Sequence, residues 1–447
     1  MIRLLHLSDI HLGSGLLHGR VNPETGANTR LEDFGRSLER CIDRAIAESV
    51  DLVLFGGDAF PDATPPPKVQ EIFAQQFRRL VDAQIPTVLL VGNHDQHTQG
   101  QGGASLCIYR TLGVPGFVVG DRLETHHIST RSGDVQVITL PWLTRSTLLS
   151  RPDTEGLSLA DVDHLLMERL RVALEGEIRR LDPALPTVLL AHLMTDTARF
   201  GAERFLSASK GFTVPMALLA RPCFDYVALG HVHRHQILCD QPPVVYPGSI
   251  ERVDFSEESE DKGYMLVSLE RGKAAVEFCP LPVRPFQTIS LDLTTNPDPQ
   301  AKLLSQLQKN LIVDAVVRLV YQILPEQVEQ IDQAALHEAL EPAHTYSIYP
   351  EVQSQLARPR LPELGAGNEL DPMEALKTYL EHHPHLSSLA ADMLAAAQNL
   401  LAGDLRSDLS WNRPGDPILS DAPPGTCAAE PISAALEEPA NAQLRLL

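Results

Sequence analysis

Five stretches of the chain share one design: a near-continuous apolar run, rich in Val, Leu and Ile, that stops at polar residues. They are IRLLHLSDIH (2–11), VDLVLFGGD (50–58), PTVLLVGNHD (86–95), PTVLLAHL (186–193) and FDYVALGHVH (224–233). Runs of this length without regular polar alternation predict strands buried on both faces. Between them, residues 31–48 and 68–83 repeat apolar side chains at three- and four-residue spacing, which predicts amphipathic helices. Strands alternating with helices predict an α/β fold whose sheets are covered by helices. In such folds ligands gather beyond the carboxyl ends of the strands, and all five polar endings fall there.

The pattern changes after residue 285. Residues 286–350 read as a smaller α+β domain, with FQTISLDL and LIVDAVVRLVYQI as strands. Residues 325–341 read as one helix opening on Pro325, with Val328, Ile331, Ala335 and Leu340 on one face. A linker is expected over 351–371, containing Pro and Gly. Two short helical patterns follow within 372–403, with Ser387 or Ser388 as a cap and Gly403 as a stop. Their apolar stripes are Leu376, Tyr379 and Leu380, then Leu389, Met393, Ala397, Leu400 and Leu401. Such stripes either pack on their own domain or dock in a groove of another protein. From 404 to 447 the chain is rich in Pro, Ala, Gly, Asp and Ser without periodicity, and is expected to be disordered.

Composition narrows the chemistry. A chain of 447 residues is expected to hold more than one domain. No apolar run reaches the about 18 residues that a membrane-spanning helix needs, so no membrane association is expected. The opening MIRLLHLSDIHLG lacks a basic leader, and its first strand already delivers Asp9 and His11, so the expected location is cytoplasmic. Six cysteines are scattered without a C-x-x-C pair, so metal ligands must be sought among Asp, Asn and His. The formal net charge of −21 argues against indiscriminate binding of nucleic acid. A DNA-acting chain this acidic needs local Lys or Arg, bound metals, or a partner that contacts the phosphates. Charge alone favours a small-molecule substrate.

Each strand ending has an ordinary explanation when read alone. Asp9-x-His11 could be a turn, Gly56-Gly57-Asp58 and Gly92-Asn93-His94-Asp95 tight loops, and His192 a core histidine. Gly230-His231-Val232-His233 says more, because two imidazoles two residues apart can converge on one metal cluster. Together, at five strand ends, the endings form one metal site. Imidazole, carboxylate and amide oxygen suit Mn²⁺, Fe or Zn²⁺ better than Mg²⁺ or Ca²⁺. Two such ions clamp a phosphate and generate hydroxide near neutral pH, and Asp58, on the second strand, is the candidate bridge.

The order D-x-H, G-G-D, G-N-H-D, H, G-H-x-H resembles the calcineurin-like metallophosphoesterase superfamily. The string Tyr246-Pro247-Gly248-Ser249-Ile250-Glu251-Arg252, with Asp254-Phe255, Glu258 and Lys262-Gly263, is similar to its branch of double-strand-break-repair nucleases. The arginines that protein phosphatases carry around the second and third motifs are absent from GGDAFPD and VGNHD. The resemblance implies a four-layer αββα sandwich over 1–285, a capping domain over 286–350 that holds DNA, and C-terminal helices that bind an SMC-like ATPase. It implies a homodimer formed through 68–83 and 104–112. It gives one metal Asp9, His11, Asp58 and His233, and the other Asp58, Asn93, His192 and His231. The metals would be two Mn²⁺ ions. His94 would protonate the departing sugar oxygen, with Asp62 or Asp95 to orient it. Where relatives often have His or Asp, three residues after Asp58, this chain has Pro61. His235 is read as a partly exposed histidine near the site. The implied activity is a DNA exonuclease on double-strand ends and endonuclease on single strands or hairpins. The alternatives are a small-molecule phosphodiesterase or phosphatase and a non-catalytic scaffold bridging DNA ends.

Overall fold

The computed structural model describes residues 1–97, 103–143, 157–199, 213–353, 372–381, 383, 386 and 389–401. The expected linker from 354, the caps Ser387 and Ser388, the stop Gly403 and the tail 404–447 lie outside the described residues. In chain order the strands are β1 (Ile2–Leu7), β2 (Leu52–Phe55), β3 (Thr87–Leu90), β4 (Phe117–Gly120), β5 (Glu124–Thr130), β6 (Gly133–Leu140), β7 (Thr187–His192), β8 (Met194–Thr195), β9 (Thr213–Val214), β10 (Tyr226–Gly230), β11 (Gln236–Asp240), β12 (Pro243–Tyr246), β13 (Gly263–Glu270), β14 (Lys273–Pro280), β15 (Phe286–Asp292), β16 (Val316–Ile323) and β17 (Thr345–Val352).

Two six-stranded sheets form, in the orders β14-β13-β1-β2-β3-β4 and β11-β12-β10-β7-β6-β5. The five apolar runs are the inner strands β1, β2, β3, β7 and β10, and the links β1–β2, β2–β3 and β7–β10 are parallel. Because successive side chains point to opposite faces of a strand, each run divides between two cores. Leu4, Leu52, Leu54, Val188, Leu190, Tyr226 and Ala228 meet between the sheets. Leu5, Leu7, Val53 and Phe55 face outward, onto the helices Thr29–Ala47 and Pro67–Asp82 through Phe34, Leu38, Phe73 and Phe77. Leu189, Ala191, Val227 and Leu229 face the other way, onto the helix Leu159–Ile178 through Leu170 and Leu174. The result is a helix–sheet–sheet–helix stack, the four-layer arrangement expected from the sequence.

Contacts gather Met1–Gln355 into one compact unit and Leu356–Leu447 into another. Within the first, β15, β16 and β17 form a parallel sheet with its own core, including Ile289, Leu303, Leu319, Leu336 and Leu340. The expected single helix over 325–341 is corrected. A 3₁₀ turn spans Pro325–Gln330, Ile331 is extended, and a helix restarts at Gln333–Leu340. The break has two causes. Asp332 accepts the Ala334 and Ala335 N–H groups, offering the backbone a cap in place of a continued helix. The buried Gln327 amide donates to the carbonyls of Leu293 and Asn296, tying the first turn to the loop after β15. Val328 is consequently exposed, and Leu336 takes a core position beside Leu340. In the second unit, helices span Pro372–Glu381 and Ala390–Leu401.

Candidate metal centre

The carboxyl ends of β1, β2 and β3 face those of β7 and β10 across the seam between the sheets. Two glycines allow the approach. A Cβ on Gly230 would stand 2.1 Å from the Gly56 carbonyl oxygen, and one on Gly57 would stand 2.5 Å from His192 Nδ1. Asp9 spans the seam, its carboxylate accepting the His231 N–H at 3.0 Å. Asp9, His11, Asp58 and His231 all have positive φ (52°, 45°, 58° and 101°), a backbone region costly for residues other than glycine. Four of the seven non-glycine residues in that region, among those described, are thus candidate ligands. The strands end in strained turns that aim these side chains inward.

All seven sequence-derived ligand candidates converge. Ligand atoms of Asp9, His11 and His233 lie within 4.8 Å of one another, as do those of Asp58, His192 and His231. Asp58 Oδ2 is 3.7 Å from His11 Nε2 and 3.3 Å from His192 Nε2, placing it between the two groups. Asn93 Oδ1 is 2.9 Å from His192 Nε2 and 2.8 Å from His231 Nδ1. The residues fit divalent cations. A neutral His192 donates its Nδ1–H to the Gly56 carbonyl at 2.7 Å, so its Nε2 lone pair faces the oxygens of Asn93 and Asp58. Acceptors turned toward acceptors need a positive charge among them, which the Nε2 proton supplies in the metal-free chain and a cation would supply when bound. His231 Nε2 is a buried nitrogen with no hydrogen-bond partner.

Electrostatics follow from this crowding. Burial works against charge on Asp58, but His192, His94 and His11 outweigh it and hold the carboxyl well below its usual range. Burial pushes Asp9 up, with His192 and His233 opposing. Burial likewise disfavours a proton on His192, yet the carboxylates of Asp58 and Asp9 raise it to about 9. Burial and the neighbouring histidines drive His11 and His231 well below 6.5.

His94 lies beside this cluster, its ring centroid 5.0 Å from that of His11. Its Nδ1 is 2.7 Å from the Pro61 carbonyl, and its backbone N–H donates to Asp58 Oδ1 at 2.8 Å. Neither Asp62 nor Asp95 orients the ring, contrary to expectation. Asp62 accepts from Thr64, while Asp95 is a buried hub accepting the N–H groups of Asp58, Ala59 and Gly92. Burial and the Asp58 charge push Asp95 up to about 7. The proline that cannot act through its side chain therefore acts through its backbone. His235 stays outside the cluster, bonded to the Tyr246 carbonyl and stacked on Phe278.

Two residues were missed in the sequence. Trp142 packs its indole 4.8 Å from the His231 ring, and nothing in its surroundings along the chain marks it. Glu257 bonds His233 Nδ1 at 2.6 Å. Its one signal is its place in the string between Asp254-Phe255 and Lys262-Gly263.

The sequence matches the family model of the calcineurin-like phosphoesterases over residues 2–235. It is 31% identical over 312 residues to a subunit of the nuclease SbcCD from Rhodobacter capsulatus, covering 65% of this chain and 71% of that protein. Among solved structures, a dimetal phosphatase from Danio rerio is similar at 11% identity, covering 62% of this chain and 99% of that one, with a TM-score of 0.37. A protein from Thermus thermophilus is similar at 16% identity, covering 62% and 98%, with a TM-score of 0.33.

Proposed function

This chain belongs to the calcineurin-like phosphoesterase family, and from that premise we propose that it is a Mn²⁺-dependent DNA nuclease. It acts as an exonuclease on double-strand ends and an endonuclease on single strands or hairpins. Its setting is double-strand-break repair and recombination, with an SbcC-like SMC-family ATPase as partner. The observation that carries the reading is the full convergence of seven ligand candidates with His94 alongside, in a chain similar to a nuclease subunit.

One ion would be held by Asp9, His11, Asp58 and His233, and the other by Asp58, Asn93, His192 and His231. When bound, such a pair neutralises phosphate charge and makes hydroxide available near neutral pH. The chain's own part is to position and to move protons. The Gly56 carbonyl fixes the His192 tautomer, leaving Nε2 for the metal side. The Pro61 carbonyl holds His94 by Nδ1, so Nε2 is the atom that hands a proton to the departing sugar oxygen.

The partners are assigned on the same basis. Tyr379, Leu389 and Met393 are exposed on or beside the two C-terminal helices, as suits helices that dock in a groove of the ATPase. Ile108 and Leu112 are exposed near the helix Cys107–Thr111, as suits a homodimer surface there. The ATPase supplies phosphate contacts that an acidic chain lacks. No helix among the described residues is long and apolar enough to cross a membrane, and the proposed location is the cytoplasm.

The net charge of −21 favours a second reading, a small-molecule phosphodiesterase. One assay separates the two. The purified protein, with and without the ATPase, is given Mn²⁺, a labelled DNA hairpin and bis-p-nitrophenyl phosphate. Cleavage of the hairpin is expected; hydrolysis of the small ester alone, even with the partner present, would overturn the nuclease reading.

A further inference from the structure

We propose that Glu257, backed by Lys262, is a positioning residue that fixes the ring and tautomer of His233 for its metal. The proposal rests on the two-ion reading of the site and concerns residues that reading leaves without a role. Glu257 sits at the end of the 3₁₀ turn Phe255–Glu257, and its side chain is buried. One carboxylate oxygen is 2.6 Å from His233 Nδ1. An ionised carboxylate can only accept, so Nδ1 carries the hydrogen and Nε2 is the nitrogen that bears the lone pair. That lone pair points to His11 Nε2, 3.0 Å away, inside the ligand group of Asp9, His11 and His233.

The second carboxylate oxygen of Glu257 is 2.8 Å from the Lys262 ammonium and also accepts the Val253 N–H. Lys262 is fully buried, which a cation tolerates only when paired. Its other donors go to Glu260 at 2.8 Å and to the backbone carbonyl of His233 at 3.0 Å. One ammonium therefore grips both the backbone of the ligand and the carboxylate on its ring. Translation and rotation of the imidazole are restrained together. This is the outer arrangement by which a carboxylate orients a ligating histidine and strengthens it as a donor. The same turn is bonded to the small domain, because Glu258 accepts the Thr288 N–H of β15. The prop beneath His233 is thus anchored on both sides.

The test uses the full chain, apo and titrated with Mn²⁺ followed by calorimetry and electron paramagnetic resonance, with ¹⁵N-histidine spectra of the apo protein. In wild type two ions bind and the His233 spectrum shows the Nδ1–H form. Glu257→Gln keeps an acceptor but loses the charge, and is expected to weaken one ion about 10–100-fold while the other ion and the apo melting temperature hold. Glu257→Leu is expected to shift His233 toward the Nε2–H form, and Glu257→Asp to recover part of the lost affinity. Two outcomes overturn the proposal with the metal reading intact. One is wild-type affinity for both ions and an unchanged His233 spectrum in Glu257→Gln and Glu257→Leu. The other is equal loss of both ions in step with a lowered melting temperature. A wild-type chain that binds no pair of ions overturns both proposals.

Discussion

His94 is held at two points, its backbone N–H on Asp58 and its Nδ1 on the Pro61 carbonyl, so its role can be removed without touching the ligands. His94→Ala is expected to slow DNA cleavage about 10²–10⁴-fold, the usual worth of a positioned acid, with two ions still bound by elemental analysis. Loss of metal in that variant would make His94 a ligand. His192 gives a pH prediction. Its pKa in the fold is raised from 6.5 to about 9, so its proton stabilises the metal-free fold below about 6.5, and that contribution is lost as pH rises through about 9. The proton occupies Nε2, the atom an ion must take, since Nδ1 is spent on Gly56. Mn²⁺ affinity is therefore expected to rise with pH across this window, with protons released on binding. Calorimetry in buffers of different ionisation enthalpy measures that release, and a pH-independent affinity would contradict the assignment. The candidate ligands were legible in the sequence because a side chain's chemistry is written in its name. The partner of His94 was not, because it is a carbonyl that every residue carries.

At the scale of elements, the inner strands were legible because burial on both faces leaves an unbroken apolar run. The same feature makes them costly to alter. Leu54 lies between the sheets, two residues before the close approach at Gly56, fully buried among Leu4, Val88 and Leu190. Leu54→Ala is expected to destabilise the fold by about 2–5 kcal/mol, the range for a buried leucine cut to alanine. Denaturant unfolding checks this, and a change under about 1 kcal/mol would mean the seam collapses around the void. The helix over 325–341 was misread for a reason of the same kind. Apolar spacing continues through Ile331, but Asp332 and the Gln327 amide act through backbone groups that spacing does not record. The turn holding Glu257 carries no periodicity at all, so only its contacts reveal it.

For the molecule as a whole, the division at Gln355 separates the ligand candidates from the helices proposed to bind the ATPase. All seven ligand candidates lie in the first unit. Ending the chain after residue 355 is expected to leave two-ion binding and the melting temperature of the first unit unchanged, and to abolish copurification with the ATPase. Retained association would assign the partner surface to the first unit instead. That helices cover the sheets was legible from the order of strands and helices, and the four-layer stack was implied by the family resemblance, whereas its closure was not legible. Sheet one is completed by β13 and β14, and Ile2 pairs with Leu269 across most of the phosphoesterase sequence.

That pairing sets an order of events during synthesis. The ribosome delivers the last ligand, His233, before it delivers the hairpin of β13 and β14 that lies against β1, and before Glu257 and Lys262 that prop His233. A nascent chain halted near residue 240 holds every ligand but neither the prop nor the finished sheet. Stalled chains of increasing length should therefore gain tight Mn²⁺ binding only after the hairpin has emerged. Loading is then timed by the emergence of residues 263–280 and not by the appearance of the last ligand.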